Sequence, residues 1–163
     1  MRQALVFSDS HGKNDGMLEV IRRYPEVQAI FHLGDSERGL ERIEEAVSCP
    51  LYAVRGNCDF MSDLPPELVV DFAGHRLAMC HGHRYLNYGS IDAMKYWALE
   101  QEADIVMFGH THIPYLEQGY ELTVLNPGSI SRPRQDNRIP TFTLMELGKD
   151  GQFHFNMCEY HPM

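Results

Sequence analysis

At 163 residues, with 44% hydrophobic and 23% charged residues, the chain has ordinary globular composition and enough length for a core that buries roughly 70% of its unfolded surface. Its formal net charge of -9 disfavours stable nucleic-acid binding, so a phosphate-bearing ligand must find positive charge locally. No apolar run approaches the ~20 residues of a membrane span, and four cysteines without a Cys-x-x-Cys pair point to free thiols in a reducing cytosol.

Residues 1–8 read as a short strand rather than a signal segment, with Ala4-Leu5-Val6-Phe7 as its apolar run. Met17, Val20, Ile21 and Tyr24 follow at helical spacing. Ala29-Ile30-Phe31 is a second strand, Leu40, Ile43 and Val47 mark a second helix, and Leu51–Val54 is a third strand. Continuous apolar runs of this kind suit strands covered on both faces. Leu68–Phe72 and Arg76–Cys80 flank Ala73-Gly74-His75 as a hairpin. Ser90 can cap a helix carrying Ile91, Met94, Trp97 and Ala98. Strands at Ile105–Phe108, Leu122–Leu125, Thr141–Glu146 and Gln152–Met157 complete the pattern, with loops at Asn126–Ser129 and Ser131–Pro140. The expected architecture is one α/β domain over residues 1–163, with two packed sheets and helices outside.

Each of five apolar runs is followed by a polar residue able to bind a cation. Asp9 and His11 follow the first, Asp35 the second, and Asn57 and Asp59 the third. His81 follows the strand ending at Cys80, and His110 and His112 follow Phe108. Ligands of α/β sheets gather at the carboxyl ends of strands. If those ends share a rim, Asp9, His11, Asp35, Asn57, His81, His110 and His112 suffice for two metal ions. Oxygen and imidazole donors suit Mn²⁺, Fe²⁺, Zn²⁺ or Ni²⁺. Two divalent ions against Asp9, Asp35 and a bridging hydroxide leave about one positive charge, so the centre is cationic within an acidic protein.

Taken singly, each residue has a plainer reading. Asp-x-His after a strand is commonly a turn, and Gly56-Asn57-Cys58-Asp59 alone looks like a hairpin turn. His32 reads as a core or supporting histidine, and His75, His154 and His161 as surface residues. His83 reads equally as a phosphate contact or as a support for the His81 loop. Cys49, Cys80 and Cys158 read as small apolar residues. Arg132, Arg134 and Arg138 lie on a solvated loop that could also reach a phosphate.

Together, Asp9-Ser10-His11, Gly34-Asp35, Gly56-Asn57-Cys58-Asp59, His81-Gly82-His83 and Gly109-His110-Thr111-His112 resemble the motifs of the calcineurin-like metallophosphoesterase superfamily. Asn126-Pro127-Gly128-Ser129 resembles its small prokaryotic phosphodiesterase branch. The resemblance implies a four-layer αββα sandwich. One metal would take Asp9, His11, His112 and a bridging Asp35, and the other Asp35, Asn57, His81 and His110. Mn²⁺ is the favoured ion. Many members carry histidine where Cys58 stands, and a thiol is a poor general acid at neutral pH. The residues expected at the reacting phosphate are Asp35, Asn57, Cys58 and His83. The expected activity is hydrolysis of small phosphodiesters by a metal-bridging hydroxide. A phosphomonoesterase and a non-catalytic protein-binding scaffold of the same fold are the rivals, and homo-oligomers remain open.

Overall fold

The computed structural model describes residues 2–86 and 89–163. Its elements in chain order are β1 (Gln3–Phe7), α1 (Asp15–Arg23), β2 (Ala29–His32), α2 (Leu40–Ala46), β3 (Leu51–Ala53), β4 (Glu67–Phe72) and β5 (His75–Cys80). They continue with α3 (His83–Leu86), α4 (Asp92–Glu100), β6 (Ile105–Met107), β7 (Tyr115–Gln118), β8 (Thr123–Asn126), β9 (Thr141–Leu147) and β10 (Phe153–Glu159). One sheet has the order β10-β9-β1-β2-β3 and the other β4-β5-β6-β8-β7.

Side-chain alternation along the strands sorts the apolar residues into three cores. Ala4 and Val6 of β1, Ala29 and Phe31 of β2, Leu77 and Met79 of β5, and Ile105 and Met107 of β6 meet between the sheets. The alternate residues of the first sheet, Leu5, Phe7 and Ile30, face Met17, Val20 and Ile21 of α1 and Ile43 of α2. Those of the second, Ala78, Cys80, Val106 and Phe108, face Met94 and Ala98 of α4. The result is the expected αββα stack, and burial on both faces explains why these strands read as unbroken apolar runs.

The strands that matter for function run parallel: β1 with β2, β2 with β3, β5 with β6, and β6 with β8. Parallel order places their carboxyl ends on one rim in each sheet. Packing sheet on sheet then brings the two rims together.

Several local readings shift. Tyr24 ends α1 as its C-cap, and α4 begins at Asp92 with Ile91 as N-cap. Ser90 Oγ accepts the Asp92 N–H at 3.1 Å from one position further out. The β4–β5 turn takes positive φ at both Ala73 (53°) and Gly74 (81°), the handedness a tight hairpin needs. His75 is not a free surface residue: its ring lies 4.9 Å from Phe153, and Nδ1 meets Asp104. Cys80 is buried, whereas Cys49 and Cys158 are half-buried; all four cysteines are free. No helix among the described residues is long and apolar enough to cross a membrane.

Phe31 ties the inter-sheet core, stacking on Tyr52 at 5.5 Å and meeting Phe72 edge-on at 5.9 Å. Phe31→Ala should cost about 3–5 kcal/mol in urea unfolding. Tyr120→Ala, at a fully exposed position, should stay within about 0.5 kcal/mol.

Candidate metal centre

Backbone hydrogen bonds lay the loop after β1 along the loop after β2. Asp9 N–H reaches Gly34 O at 3.0 Å, His11 N–H reaches Asp35 O at 2.8 Å, and Gly12 N–H reaches Ser36 O at 2.8 Å. This register sets Asp9 and His11 beside Asp35. The loop after β8 joins them: Ser131 Oγ donates to Asp9 O or Ser10 O, at 3.0 and 2.8 Å, and Ser129 Oγ to Asp9 O at 2.8 Å.

Across the sheet interface come the histidines. Asp9 Oδ1 lies 3.2 Å from His112 Nε2, 3.7 Å from His11 Nε2 and 3.8 Å from His81 Nε2. Asp35 Oδ2 lies 3.2 Å from His81 Nε2 and 3.9 Å from His11 Nε2. His110 and Asn57 stand at the outer edge, with His110 Nδ1 3.1 Å from Asn57 Oδ1 and the His110 ring 5.2 Å from that of His81. The structure thus brings Asp9, His11, Asp35, His81 and His112 into one tight cluster, with His110 and Asn57 beside it. Three groups have ligand atoms close enough to share an ion: Asp9 with His11 and His112, His11 with Asp35 and Cys58, and Asp9 with Asp35 and His81. Asp9 and Asp35 each take part in two of these groups and meet in the one that holds His81.

The donor set tests whether a cation fits. His81 Nδ1–H donates to Leu33 O at 2.7 Å, and His112 Nδ1–H to Arg132 O at 2.6 Å. His11 Nδ1 faces Glu37 Oε2 at 3.2 Å. Each contact leaves Nε2 as a lone pair aimed at Asp9 Oδ1. The other Asp9 oxygen is satisfied by Ser8 Oγ–H and His110 N–H, while Asp9 Oδ1 and His81 Nε2 are buried without a hydrogen-bond partner. Three imidazole lone pairs converging on a carboxylate oxygen repel one another unless positive charge lies among them. The residues present fit divalent cations.

Proton affinities report the same field. Burial works against charge on Asp9, yet His112, His81 and Ser8 outweigh it and hold the carboxyl below its ordinary value. Burial likewise opposes ionisation of Asp35, but His81, the Cys58 N–H and His11 hold it well below the carboxylate range. Burial disfavours a charged His81, and Asp35 with Asp9 reverse this and raise it. Burial lowers His110 and His83, helped by the neighbouring His81.

The backbone is unusual at the donors themselves. Asp9 (φ 54°), His11 (48°), Asp35 (57°), His110 (71°) and His112 (61°) all occupy the left-handed region. Asp and His tolerate it better than most residues, at a cost of about 1–3 kcal/mol each. Glycines adjoin these donors at positions 12, 34, 56, 82 and 109, where freedom of the backbone would permit tight turns. For Gly56 and Gly109 the reason is instead close approach: a Cβ at Gly109 would overlap Ser8 Oγ and the Asp9 carboxylate, and one at Gly56 would overlap Asp35.

Asp59, read in the sequence as part of a turn, is a buried clamp. It accepts the N–H groups of Asp35 (2.8 Å), Glu37 (2.7 Å) and Gly56 (2.7 Å), so it fixes the Asp35 loop. Glu37 and the Ser129–Ser131 stretch are further supports that no spacing signal announced. Asn126 Nδ2, from the Asn-Pro-Gly-Ser stretch, lies 3.0 Å from both Gly109 O and Thr111 Oγ1 and so steadies the His110 loop. Cys58 Sγ lies near His11 and Asp35; burial, then Asp35, push its thiol up to about 11. His83 Nδ1 is buried without a partner, 5.4 Å ring to ring from His81.

The model of the calcineurin-like phosphoesterase superfamily domain matches residues 1–150. The chain belongs to this superfamily. It is 35% identical over 147 residues to the Bacillus subtilis protein named probable metallophosphoesterase YsnB, spanning 90% of this chain and 85% of that one. A Streptococcus pneumoniae TIGR4 crystal structure described as a predicted phosphoesterase superposes with a TM-score of 0.84 at 35% identity, covering 98% of this chain and 92% of that one. The Escherichia coli K12 phosphodiesterase YfcE is 36% identical over 105 residues, which are 60% of this chain and 53% of YfcE.

His32 is wholly buried and supports the Asp9 loop. Gly34 N–H donates to its Nδ1 at 3.2 Å, so Nε2 carries the proton and faces Ser10 Oγ at 2.9 Å. Burial pushes its pKa down to about 4. As pH falls from about 6.5 towards that value, the unfolded chain takes up a proton that the folded chain refuses, so stability is lost, on the order of 3 kcal/mol. His81, raised rather than lowered, acts in the opposite sense. Urea unfolding between pH 7 and 4.5 should show a shallower loss on acidification for His32→Gln than for the parent; identical slopes would contradict this role for His32.

Proposed function

We propose that the protein is a binuclear-metal phosphodiesterase that hydrolyses small phosphodiesters. The observation that carries this reading is the convergence of three imidazole Nε2 atoms and the Asp35 carboxylate around Asp9 Oδ1. Asp9, His11, His112 and Asp35 would hold one cation, and Asp35, Asn57, His81 and His110 the other, with Asp9 close enough to contact both. Mn²⁺ is favoured by the oxygen and imidazole donors. Bound divalent cations would supply Lewis acidity, polarising the phosphate and acidifying water.

The chain's own residues set the rest of the chemistry. Asp9 and Asp35 are ionised at neutral pH, so the carboxylate donors need no deprotonation before binding. Glu37, Leu33 O and Arg132 O fix the imidazole tautomers and orientations. Cys58, with a pKa near 11, stays a thiol and offers no thiolate nucleophile. Water therefore supplies the oxygen that bonds phosphorus as the bond to the leaving oxygen breaks, and configuration at phosphorus inverts. Neither Cys58 nor His83, whose pKa is lowered by burial and by His81, is suited to protonate the departing oxygen. Esters with acidic leaving groups are the better substrates.

The diester is favoured over the monoester because a centre near one positive charge matches a monoanion, and YfcE carries the name phosphodiesterase. A single domain over residues 1–163 and a cytosolic setting complete the proposal; the four free thiols suit the latter.

Metal-stripped protein reconstituted with Mn²⁺, Zn²⁺, Ni²⁺ or Fe²⁺ should cleave bis(p-nitrophenyl) phosphate with higher kcat/KM than p-nitrophenyl phosphate. Across substituted aryl diesters, kcat should fall steeply as the leaving-group pKa rises. Loss of His112 (His112→Ala) should cut turnover by about 100-fold or more. A monoester preference would favour the phosphatase rival, and no turnover with any metal would favour the scaffold.

A further inference from the structure

The candidate centre is flanked by basic residues whose side chains none of the roles above uses. Lys13 follows His11 and Gly12 on the β1–α1 loop. Arg38 follows Glu37 on the β2–α2 loop, and its guanidinium lies against Gly12, where a Cβ would come within 2.7 Å of Cζ. Asn14 Nδ2–H donates to Arg38 O at 2.9 Å and ties these two loops together. Lys13, Arg38 and Arg42 line an open recess of about 550 Å³ here.

A third loop reaches the same side. Arg132 O accepts from His112 Nδ1 at 2.6 Å, and Arg134 N–H donates to His112 O at 3.0 Å. Ser131, beside them, is bound to the carbonyls of Asp9 and Ser10. Since His11 and His112 have their Nε2 atoms 3.2 Å apart, the three loops surround one end of the centre.

The charge balance at this end is lopsided. Among the described residues, Arg42 pairs with Asp15 at 3.8 Å, while Lys13, Arg38, Arg132 and Arg134 meet no carboxylate within ion-pair distance. The nearby Glu37 is engaged by His11. In a chain of net charge -9, these four cations, on loops that adjoin His11 and His112, oppose the overall field and would attract an anion locally.

We propose that Lys13, Arg38, Arg132 and Arg134 form a subsite for a second phosphate of the substrate, next to the scissile diester on the His11/His112 side. The substrate class is thus a phosphodiester carrying a further terminal phosphate, held by charge-assisted and bidentate arginine contacts. This rests on the phosphodiesterase reading and names its substrate class.

The test compares thymidylyl-thymidine with and without a terminal 5′-phosphate, alongside bis(p-nitrophenyl) phosphate, using Mn²⁺-loaded protein. The internucleotide bond of the phosphorylated dinucleotide should be cleaved with about tenfold or higher kcat/KM, expressed mainly in KM. In R38M/R132M the ratio should fall towards one, whereas Arg22→Met, an exposed charge on α1 away from these loops, should keep it. Calorimetry on the Mn²⁺-loaded protein should show thymidine 3′,5′-bisphosphate binding about tenfold tighter than thymidine 5′-monophosphate, a difference lost in the double variant. Cleavage of all diesters with no preference, or a preference that survives the double substitution, overturns the subsite alone. Hydrolysis of none of them, with the binding difference intact, overturns the phosphodiesterase reading and leaves the anion subsite standing. Equal binding of the two nucleotides overturns the subsite in either case.

Discussion

The constraint on which this molecule turns is an excess of electron pairs in a buried place. Asp9 Oδ1 is held among three imidazole nitrogens whose protons are committed elsewhere, and Asp35 adds a second carboxylate. An arrangement of acceptors alone is costly in a low-dielectric interior. Without a metal, Asp35 and Asp9 draw a proton towards His81, and its raised pKa records that demand. Divalent cations answer it more fully, which is why the site reads as a metal centre rather than a hydrogen-bonded polar core.

Holding such a cluster takes structure on both sides. The sheets meet through Phe31, Met79 and Met107, and this packing fixes the distance between donors of the first sheet and those of the second. The donors leave their strands through left-handed backbone that the surroundings must enforce. Asp59 does so for the Asp35 loop through three N–H groups, and Ser129 and Ser131 do so for the Asp9 loop. Such a site is preorganised: the donors need not assemble when a cation arrives.

Much of this was legible in the sequence, and the rest was not for identifiable reasons. Alternation of apolar runs with helical spacing located both halves of the sandwich, because the central strands β1, β2, β5 and β6 are covered on two faces. The donors were legible because each stands a few residues beyond such a run. The supports were not. Asp59 has a turn residue's address and a clamp's function, and only the fold shows which N–H groups it meets. Glu37 lies on a loop with no periodicity, and its meaning comes from His11, 26 residues away in the chain. Gly56 and Gly109 look alike in sequence to glycines that serve turns, yet they are small because Asp35, Ser8 and Asp9 press against them. Helix α3 is too short to impose a pattern, and β7, partly exposed along its whole length, has no buried run to read.

The acidic surface and the proposed cationic centre are compatible because they act at different ranges. The net charge of -9 acts diffusely and is screened within about 8 Å at physiological salt; the centre and its basic flank act at contact. The most direct test of the central claim is electron paramagnetic resonance during titration of metal-free protein with Mn²⁺. The account predicts uptake of two ions per chain, the second converting the spectrum of isolated Mn²⁺ into that of a spin-coupled pair. Saturation at one uncoupled ion would contradict it.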